Sequence, residues 1–158
     1  MRVLAIDPGF DRMGVAILEG DPSRPSLVAS DCVIPEKGVP SLRLARVSVA
    51  VEDAIRTHRP DALAIESLFF SKNVKTALGV AEARGAILAA AGRAQVPVIE
   101  CSPQHVKLAV AGHGGADKAS IARMVPKLVA LPQKKRLDDE LDAIALGIAA
   151  LATGLPRA

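Results

Sequence analysis

The sequence lacks tryptophan and tyrosine altogether and contains only three phenylalanines in 158 residues. Its apolar half is therefore mostly Ala, Val, Leu and Ile, a composition that favours a sheet covered by closely packed helices. No apolar run approaches the roughly 18 residues that a membrane helix needs. The first residues also lack the basic, apolar and small-residue segments of a signal peptide, so we expect a cytoplasmic protein without membrane contacts.

Cysteine is scarce as well. Cys32 and Cys101 are the only two cysteines, and they stand too far apart to form a metal-binding motif. We therefore expect two reduced, partly buried thiols. The net charge of +3 permits a polyanionic partner without requiring one. The length, with no repeat or linker, predicts a single domain covering residues 1–158.

The pattern of apolar residues predicts the secondary structure. Five short apolar runs are predicted to be strands: 2–7, 13–18, 27–34, 62–66 and 96–100. Helical periodicity and capping residues predict helices at 40–58 and 74–93, a short helix from Pro103, one capped by Asp117, and a last helix at 137–151. Segment 21–25, which contains two prolines, is predicted to be a loop. Pro126 interrupts the helix capped by Asp117, which either kinks or restarts there.

The predicted order of elements is β-β-β-α-β-α-β-α-α-α. Three consecutive strands joined by short turns form an antiparallel meander, whereas strands that alternate with helices add to a sheet in parallel. The sequence therefore predicts an α/β fold with a mixed five-stranded sheet and helices on both faces.

The first predicted strand ends in the carboxylate Asp7, and the fourth ends in Glu66. The carboxyl ends of parallel strands face the crevice in which open sheets bind ligands, so neighbouring strands would bring both acids to one edge. An unpaired charge is costly there and favours a bound proton or a cation. The alternative is that Asp7 only accepts hydrogen bonds within the Pro8-Gly9 turn and that Glu66 is half exposed.

The last predicted helix carries more acids near its start. Asp139 and Asp142 are three residues apart and share a face, and Asp138 and Asp142, four apart, are also possible partners. The alternative is that these acids only complement the helix dipole. That alternative accounts for Asp138, Asp139 and Glu140, but it explains Asp142 poorly because this residue lies one turn further into the helix.

Four carboxylates gathered at one point would repel each other unless protons or cations intervene. Oxygen-only ligands prefer Mg²⁺ or Mn²⁺ to zinc. Two such ions about 3.5–4 Å apart can bind the entering water and the departing oxygen of a phosphodiester. The acids therefore predict a nuclease site with two metal ions.

Several motifs accompany these acids along the chain. They are Ile6-Asp7-Pro8-Gly9, Ala64-Ile65-Glu66 followed by Phe69, Lys72 and Asn73, Ala83-Arg84-Gly85, Val106-Lys107, the loop from Gly112 to Lys118, and Asp139-x-x-Asp142-Ala143. Together they resemble the RuvC family of Holliday-junction resolvases over nearly the whole chain. Asp138 departs from the family pattern as an extra acid. It leaves Asp138 and Asp139 as alternative ligands, and the three-residue spacing to Asp142 favours Asp139.

The resemblance implies an RNase H-like fold, a homodimer, and two symmetric nicks across a four-way DNA junction in homologous recombination and repair. A branch-migration helicase complex is implied as a further partner. The resemblance assigns catalysis and the binding of Mg²⁺ or Mn²⁺ to four residues: Asp7, Glu66, Asp139 and Asp142. It points to DNA contacts by a second set: Phe69, Lys72, Asn73, Lys107 and Lys118.

Other basic residues lie in or beside the same loops. They are Lys75, Lys134, Lys135 and Arg136. Each of them alone is an ordinary surface charge, but their shared location suggests phosphate contacts and salt-dependent binding. Two other functions remain open at this point. One is an RNase H-like protein that acts on structured RNA, and the other is a non-catalytic DNA-binding module that uses the same basic loops.

Overall fold

The computed structural model describes residues 1–67 and 74–155. Within them the elements follow in the predicted order: β1 (Arg2–Asp7), β2 (Met13–Asp21), β3 (Arg24–Val33), α1 (Pro40–His58), β4 (Ala62–Glu66), α2 (Val74–Arg93), β5 (Val98–Cys101), α3 (Pro103–Ala111), α4 (Lys118–Leu128) and α5 (Asp138–Thr153).

The strands form one sheet in the order β3-β2-β1-β4-β5. β1, β2 and β3 are an antiparallel meander. β4 then pairs parallel with β1, and β5 pairs parallel with β4. The mixed five-stranded sheet predicted from the sequence is therefore confirmed.

Side chains along β1 alternate between two apolar cores, one on each face of the sheet. Leu4 and Ile6 are buried on the face that α1 and α2 cover. Val3 and Ala5 are buried on the opposite face, which α3, α4 and α5 cover. The prediction of helices on both faces is confirmed, and the alternation decides to which face the last residue of β1 belongs.

The central helix of the second face, α5, lies very close to the sheet. A Cβ atom added at Gly147 would collide with the side chain of Leu18 on β2. A Cβ atom added at Gly14, also on β2, would overlap the carbonyl oxygen of Asp139 in the first turn of α5. The two glycines therefore allow a backbone separation that larger residues would prevent.

We expect Gly14→Ala to destabilise the protein by about 2 kcal/mol, because the added methyl group must push the start of α5 off the sheet. Urea unfolding measures this difference. The matched control is Gly85→Ala on α2, where an added Cβ has nothing within 4 Å. Alanine favours the helix over glycine, so the control should equal or exceed the wild-type stability. Equal losses in both variants would contradict the close approach at Gly14.

The prediction of a loop over 21–25 is wrong in its extent. β2 continues to Asp21 and β3 begins at Arg24, which leaves a two-residue turn. The Asp21 carboxylate closes this turn by accepting hydrogen bonds from the backbone N–H groups of Ser23 at 2.8 Å and Arg24 at 3.1 Å. Pro25 is tolerated within a strand because β3 is at the edge of the sheet.

Pro126 neither ends nor restarts its helix. It lies in the last turn of α4, which runs on to Leu128. The backbone N–H of Val129 still donates to the carbonyl of Val125 at 3.0 Å, so the helical hydrogen bonding resumes beyond the proline.

Two expectations drawn from what the sequence lacks can be compared with the structure. Cys32 is half-buried and Cys101 is buried, and both are free thiols, as expected. None of the helices in the described part of the chain combines the length and the apolar character needed to cross a bilayer.

Candidate active site

The candidate site begins at the ends of two neighbouring parallel strands. The β1–β4 register pairs Ile6 with Ile65, so Asp7 and Glu66 are the next residues of their strands. By the alternation described above, both acids follow Ala5 and Ala64 on the face covered by α5. The fold therefore brings two acids that are distant in sequence to one edge of the sheet, on the same face.

The start of α5 brings further acids to the same edge. Gly14 is the register partner of Asp7 on β2, and the backbone of Asp139 rests against it. The first turns of α5 consequently lie beside Asp7. Asp142, one turn further along the helix, points into the space between the strand ends and the helices.

A cavity of about 290 Å³ occupies this space. Three acids line it, Asp7, Glu66 and Asp142, together with Lys107 of α3 and Lys118 of α4. The rest of the lining is apolar: Pro103, Val106, Ile121, Ala145 and Leu146. Charges in such a pocket are poorly screened, so they act strongly on each other.

The pKa values of the strand-end acids reflect this environment. Burial raises the pKa of Asp7 to about 7, and the negative charges of Asp142, Glu66 and Asp139 contribute to the rise. The pKa of Glu66 is also raised, first by burial and then by Asp142. Lys118 opposes both shifts. Asp7 is thus a carboxyl group that exchanges its proton near neutral pH unless a cation stabilises its charge.

Lys118 supplies one positive charge to this group of acids. Its Nζ lies 2.8 Å from Asp142 Oδ2 and 3.2 Å from Asp138 Oδ2. Hydrogen bonding to Asp142 is the largest of the effects that raise the pKa of Lys118. Asp117 positions the lysine, because it caps α4 by accepting a hydrogen bond from Ser120 N at 2.7 Å and so fixes where the helix begins.

Arg12 supplies a second positive charge, and the sequence analysis did not identify it. Its Nε lies 3.0 Å from Asp139 Oδ2, and a terminal guanidinium nitrogen lies 3.2 Å from Asp138 Oδ1. Arg12 belongs to the loop between β1 and β2, far from α5 in sequence. No motif or spacing in the chain indicates this pairing.

The side chains are not arranged as a ready-made metal site. Among residues 1–67 and 74–155, no three His, Cys, Asp or Glu residues are grouped so as to hold one ion. Asp7, Glu66 and Asp142 line one cavity, whereas Asp139 lies beside it and is paired with Arg12. A shared ion would therefore require these side chains to rotate towards each other, with the backbone already in place.

The predicted DNA contacts divide into two sets. Lys107 and Lys118 line the cavity next to the acids. Phe69, Lys72 and Asn73 lie outside the described residues. These contacts therefore stay predictions.

Two of the basic residues expected to contact phosphates, Lys134 and Arg136, have an internal partner. The Glu140 side chain on α5 is 4% exposed, and it pairs with Lys134 Nζ at 2.7 Å and with Arg136 Nε at 3.2 Å. Ser30 of β3 donates a further hydrogen bond to the same carboxylate. This buried cluster fastens the segment before α5 to the sheet. It therefore helps to fix the helix that carries Asp139 and Asp142.

Comparison with known proteins identifies the family to which the chain belongs. The family model described as crossover junction endodeoxyribonuclease RuvC matches residues 3–150. The chain belongs to the RuvC family. Relatives of that name include one from Salinispora arenicola, 42% identical over 94% of this chain and 86% of its own length. Another, from Brevibacillus brevis, is 41% identical over 94% of this chain and 90% of its own length.

Solved structures of RuvC proteins share the fold as well. T. thermophilus RuvC in complex with a Holliday junction substrate superimposes with a TM-score of 0.88. The two chains are 32% identical, and the match covers 94% of this chain and 92% of the other. The RNase H-like architecture expected from the resemblance is therefore confirmed.

Proposed function

We propose that this RuvC-family chain is a structure-specific endodeoxyribonuclease that resolves four-way DNA junctions by paired symmetric nicks, in homologous recombination and repair. One observation carries the proposal. Asp7 and Glu66, from the ends of adjacent parallel strands, and Asp142, from α5, line a single cavity together with Lys107 and Lys118. Acids that can hold cations thus stand next to basic groups that can hold phosphates, which phosphodiester hydrolysis requires.

A divalent cation, Mg²⁺ or Mn²⁺, fits the chemistry of this cavity, and two ions per site agree with the number of acids. The donors are all oxygens, which favour such ions. The raised pKa of Asp7 marks a negative charge that the protein alone does not fully compensate. Asp7, Glu66, Asp139 and Asp142 would hold the ions. When bound, they would polarise the scissile phosphate and activate water.

The protein's own groups have distinct roles in this proposal. The strand ends hold Asp7 and Glu66 on one rigid edge, and α5 carries Asp142 towards them. Lys107 and Lys118 orient the phosphodiester across the cavity by contacting its oxygens. The apolar lining excludes water and thereby strengthens these charge interactions.

The remaining partners follow from the family. A homodimer would present two sites to a junction that itself has approximate two-fold symmetry. Phe69, Lys72 and Asn73 would contact DNA near the crossover, with Phe69 stacking on a base. A branch-migration helicase complex would deliver the junction in the cytoplasm. The chain would act as one nuclease domain over residues 1–158.

A gel assay with synthetic substrates tests the proposal. With Mg²⁺ or Mn²⁺, the protein should nick a labelled four-way junction at symmetric positions, and chelation of the metal should abolish the nicks. A linear duplex of the same sequence and a structured RNA are the control substrates. Preferential cleavage of the RNA would favour the RNA-processing alternative. Junction binding without cleavage under every metal condition would favour the non-catalytic module.

A further inference from the structure

Arg12 connects the loop after β1 to the first turn of α5 through two carboxylates. Its terminal nitrogen donates a hydrogen bond to Asp138 Oδ1 at 3.2 Å. Its Nε lies 3.0 Å from Asp139 Oδ2, which is a charge contact without hydrogen-bond geometry. A guanidinium group can make two such contacts at once because its nitrogens are fixed in one plane. The arginine therefore neutralises one of the four acids assigned to metal binding.

Asp139 is the only one of those four acids that does not line the cavity. Asp7, Glu66 and Asp142 all do. Asp139 and Asp142 are three residues apart on α5, so their side chains project from the same side of the helix. What separates Asp139 from the cavity is therefore the direction of its side chain and not its place on the helix.

The backbone of α5 cannot shift to bring Asp139 to the cavity. The carbonyl oxygen of Asp139 rests against Gly14, where even a methyl group would not fit. The helix also remains fastened by the buried Glu140 cluster. Asp139 can reach the cavity only by rotating its side chain, and that rotation breaks its ion pair with Arg12.

We propose that Arg12 is an internal counter-cation that holds the Asp139 carboxylate beside the cavity, and that a divalent cation must displace Arg12 in order to recruit Asp139. This inference rests on the proposed function, since it takes Asp139 to be a metal ligand. Arg12 is a positioning residue that acts through Asp139. It sets the metal concentration at which the site is completed.

Asp138, the acid that departs from the family pattern, contacts both of the cations that pair with Asp139 and Asp142. It already contacts Arg12, so the guanidinium keeps one carboxylate partner when Asp139 turns away. It also contacts Lys118, whose other partner is Asp142. Asp138 is therefore a carboxylate partner that Arg12 and Lys118 can both keep. Its side chain is 54% exposed and does not line the cavity.

The test is the affinity of the DNA-free protein for Mn²⁺, measured from the electron paramagnetic resonance signal of the free ion. Removing a competing ion pair of this exposure should tighten binding about twofold to fivefold in Arg12→Ala. Arg12→Gln, which keeps most of the side chain, should change the affinity in the same direction. Neither variant touches the apolar core, and thermal unfolding checks that both are folded.

The matched control is Arg46→Ala on α1. Arg46 is 65% exposed, and its partner is Glu36 at 3.7 Å. This variant loses the same unit of charge elsewhere on the surface, so its Mn²⁺ affinity should stay close to that of the wild type. In an Asp139→Asn background, removing Arg12 should add no further gain, because its competitor for the metal is already absent.

Two outcomes would overturn the inference: an Arg12→Ala affinity equal to that of Arg46→Ala, or one weaker than wild type. The latter would mean that Arg12 supports Asp139 as a ligand. An Asp7→Asn arm separates this failure from that of the proposed function. If Asp7→Asn binds Mn²⁺ as well as the wild type does, the metal site itself is wrongly assigned. If Asp7→Asn binds Mn²⁺ poorly and the Arg12 substitutions have no effect, only the role proposed for Arg12 is wrong.

Discussion

Asp7→Asn should lower the rate of junction cleavage by about 10³-fold or more while leaving junction binding nearly unchanged. Loss of a carboxylate that holds a catalytic cation typically removes several kcal/mol of transition-state stabilisation, and each 1.36 kcal/mol is a tenfold change in rate. Binding should persist because the basic residues around the cavity, including Lys107 and Lys118, are untouched. Single-turnover cleavage on gels and a parallel mobility-shift assay measure the two quantities.

The matched control for this prediction is Asp53→Asn on α1. Asp53 is 52% exposed and pairs with Arg56 of the same helix, on the face of the sheet opposite to α5. The Asp53→Asn substitution removes the same charge with the same change of shape as Asp7→Asn, but away from the cavity. Cleavage should therefore remain at the wild-type rate. Comparable losses in both variants would indicate that the effect of Asp7 is one of charge or folding and not of catalysis.

The raised pKa of Asp7 adds a pH-dependent signature to the same variant. The folded protein releases this proton at a pKa of about 7, compared with 3.8 for the ordinary group. Between these values the folded state binds more protons than the unfolded state, so the contribution of Asp7 to stability falls as pH rises through this window. Asparagine has no proton to lose in this window, so the variant avoids the loss of stability that comes from ionising Asp7. In the presence of a chelator, Asp7→Asn should therefore melt at a higher temperature than the wild type at pH 8 and at the same temperature near pH 4.

Removing Glu140 should have the largest effect on stability. Glu140→Ala leaves the Arg136 side chain, which is only 8% exposed, as a buried charge without its carboxylate partner. Breaking a buried ion pair in this way costs about 3–5 kcal/mol. Lys134 contributes less because its side chain is 41% exposed and can turn into water. Chemical unfolding measures the loss.

Glu36→Ala is the control for Glu140→Ala, because the partner of Glu36, Arg46, is 3.7 Å away and both side chains are mostly exposed. Its effect should stay within about 0.5 kcal/mol. Burial by itself raises the pKa of Glu140, but hydrogen bonds from Lys134 and Ser30 outweigh burial and lower it. The stabilisation by Glu140 is therefore present above its ordinary pKa and is lost as pH falls through the folded value. A difference from wild type that persists undiminished in acid would contradict the ion-pair explanation.

The order of the elements could be predicted because it depends on local patterns. Alternation and apolar runs marked each strand, and α2 begins and ends where its periodicity does. The errors fell where a tertiary contact overrides a local signal. Pro25 predicts the end of a strand, yet it belongs to β3. An edge strand tolerates proline because the backbone N–H that proline lacks is not needed for pairing on its open side.

The candidate site was predictable in its acids and not in their partners. Asp7 and Glu66 could be placed together because two parallel strands end at the same edge of a sheet. Two of the basic residues before α5, Lys134 and Arg136, contact the buried Glu140, a pairing that the sequence analysis did not predict. Sequence could not reveal this, since the spacing of charges along a loop does not say which of them is buried.

The sequence by itself determined the kind of chemistry and its positions along the chain: a family pattern of four acids, carried by strands and a helix whose periodicity is local. Only the tertiary structure decided how the charges are paired. Arg12 and Asp138 are 126 residues apart, and they meet because Gly14 lets α5 rest on the sheet beside β1. Ion pairs over such separations depend on strand register and on the distance between backbones, and no local pattern encodes either of these.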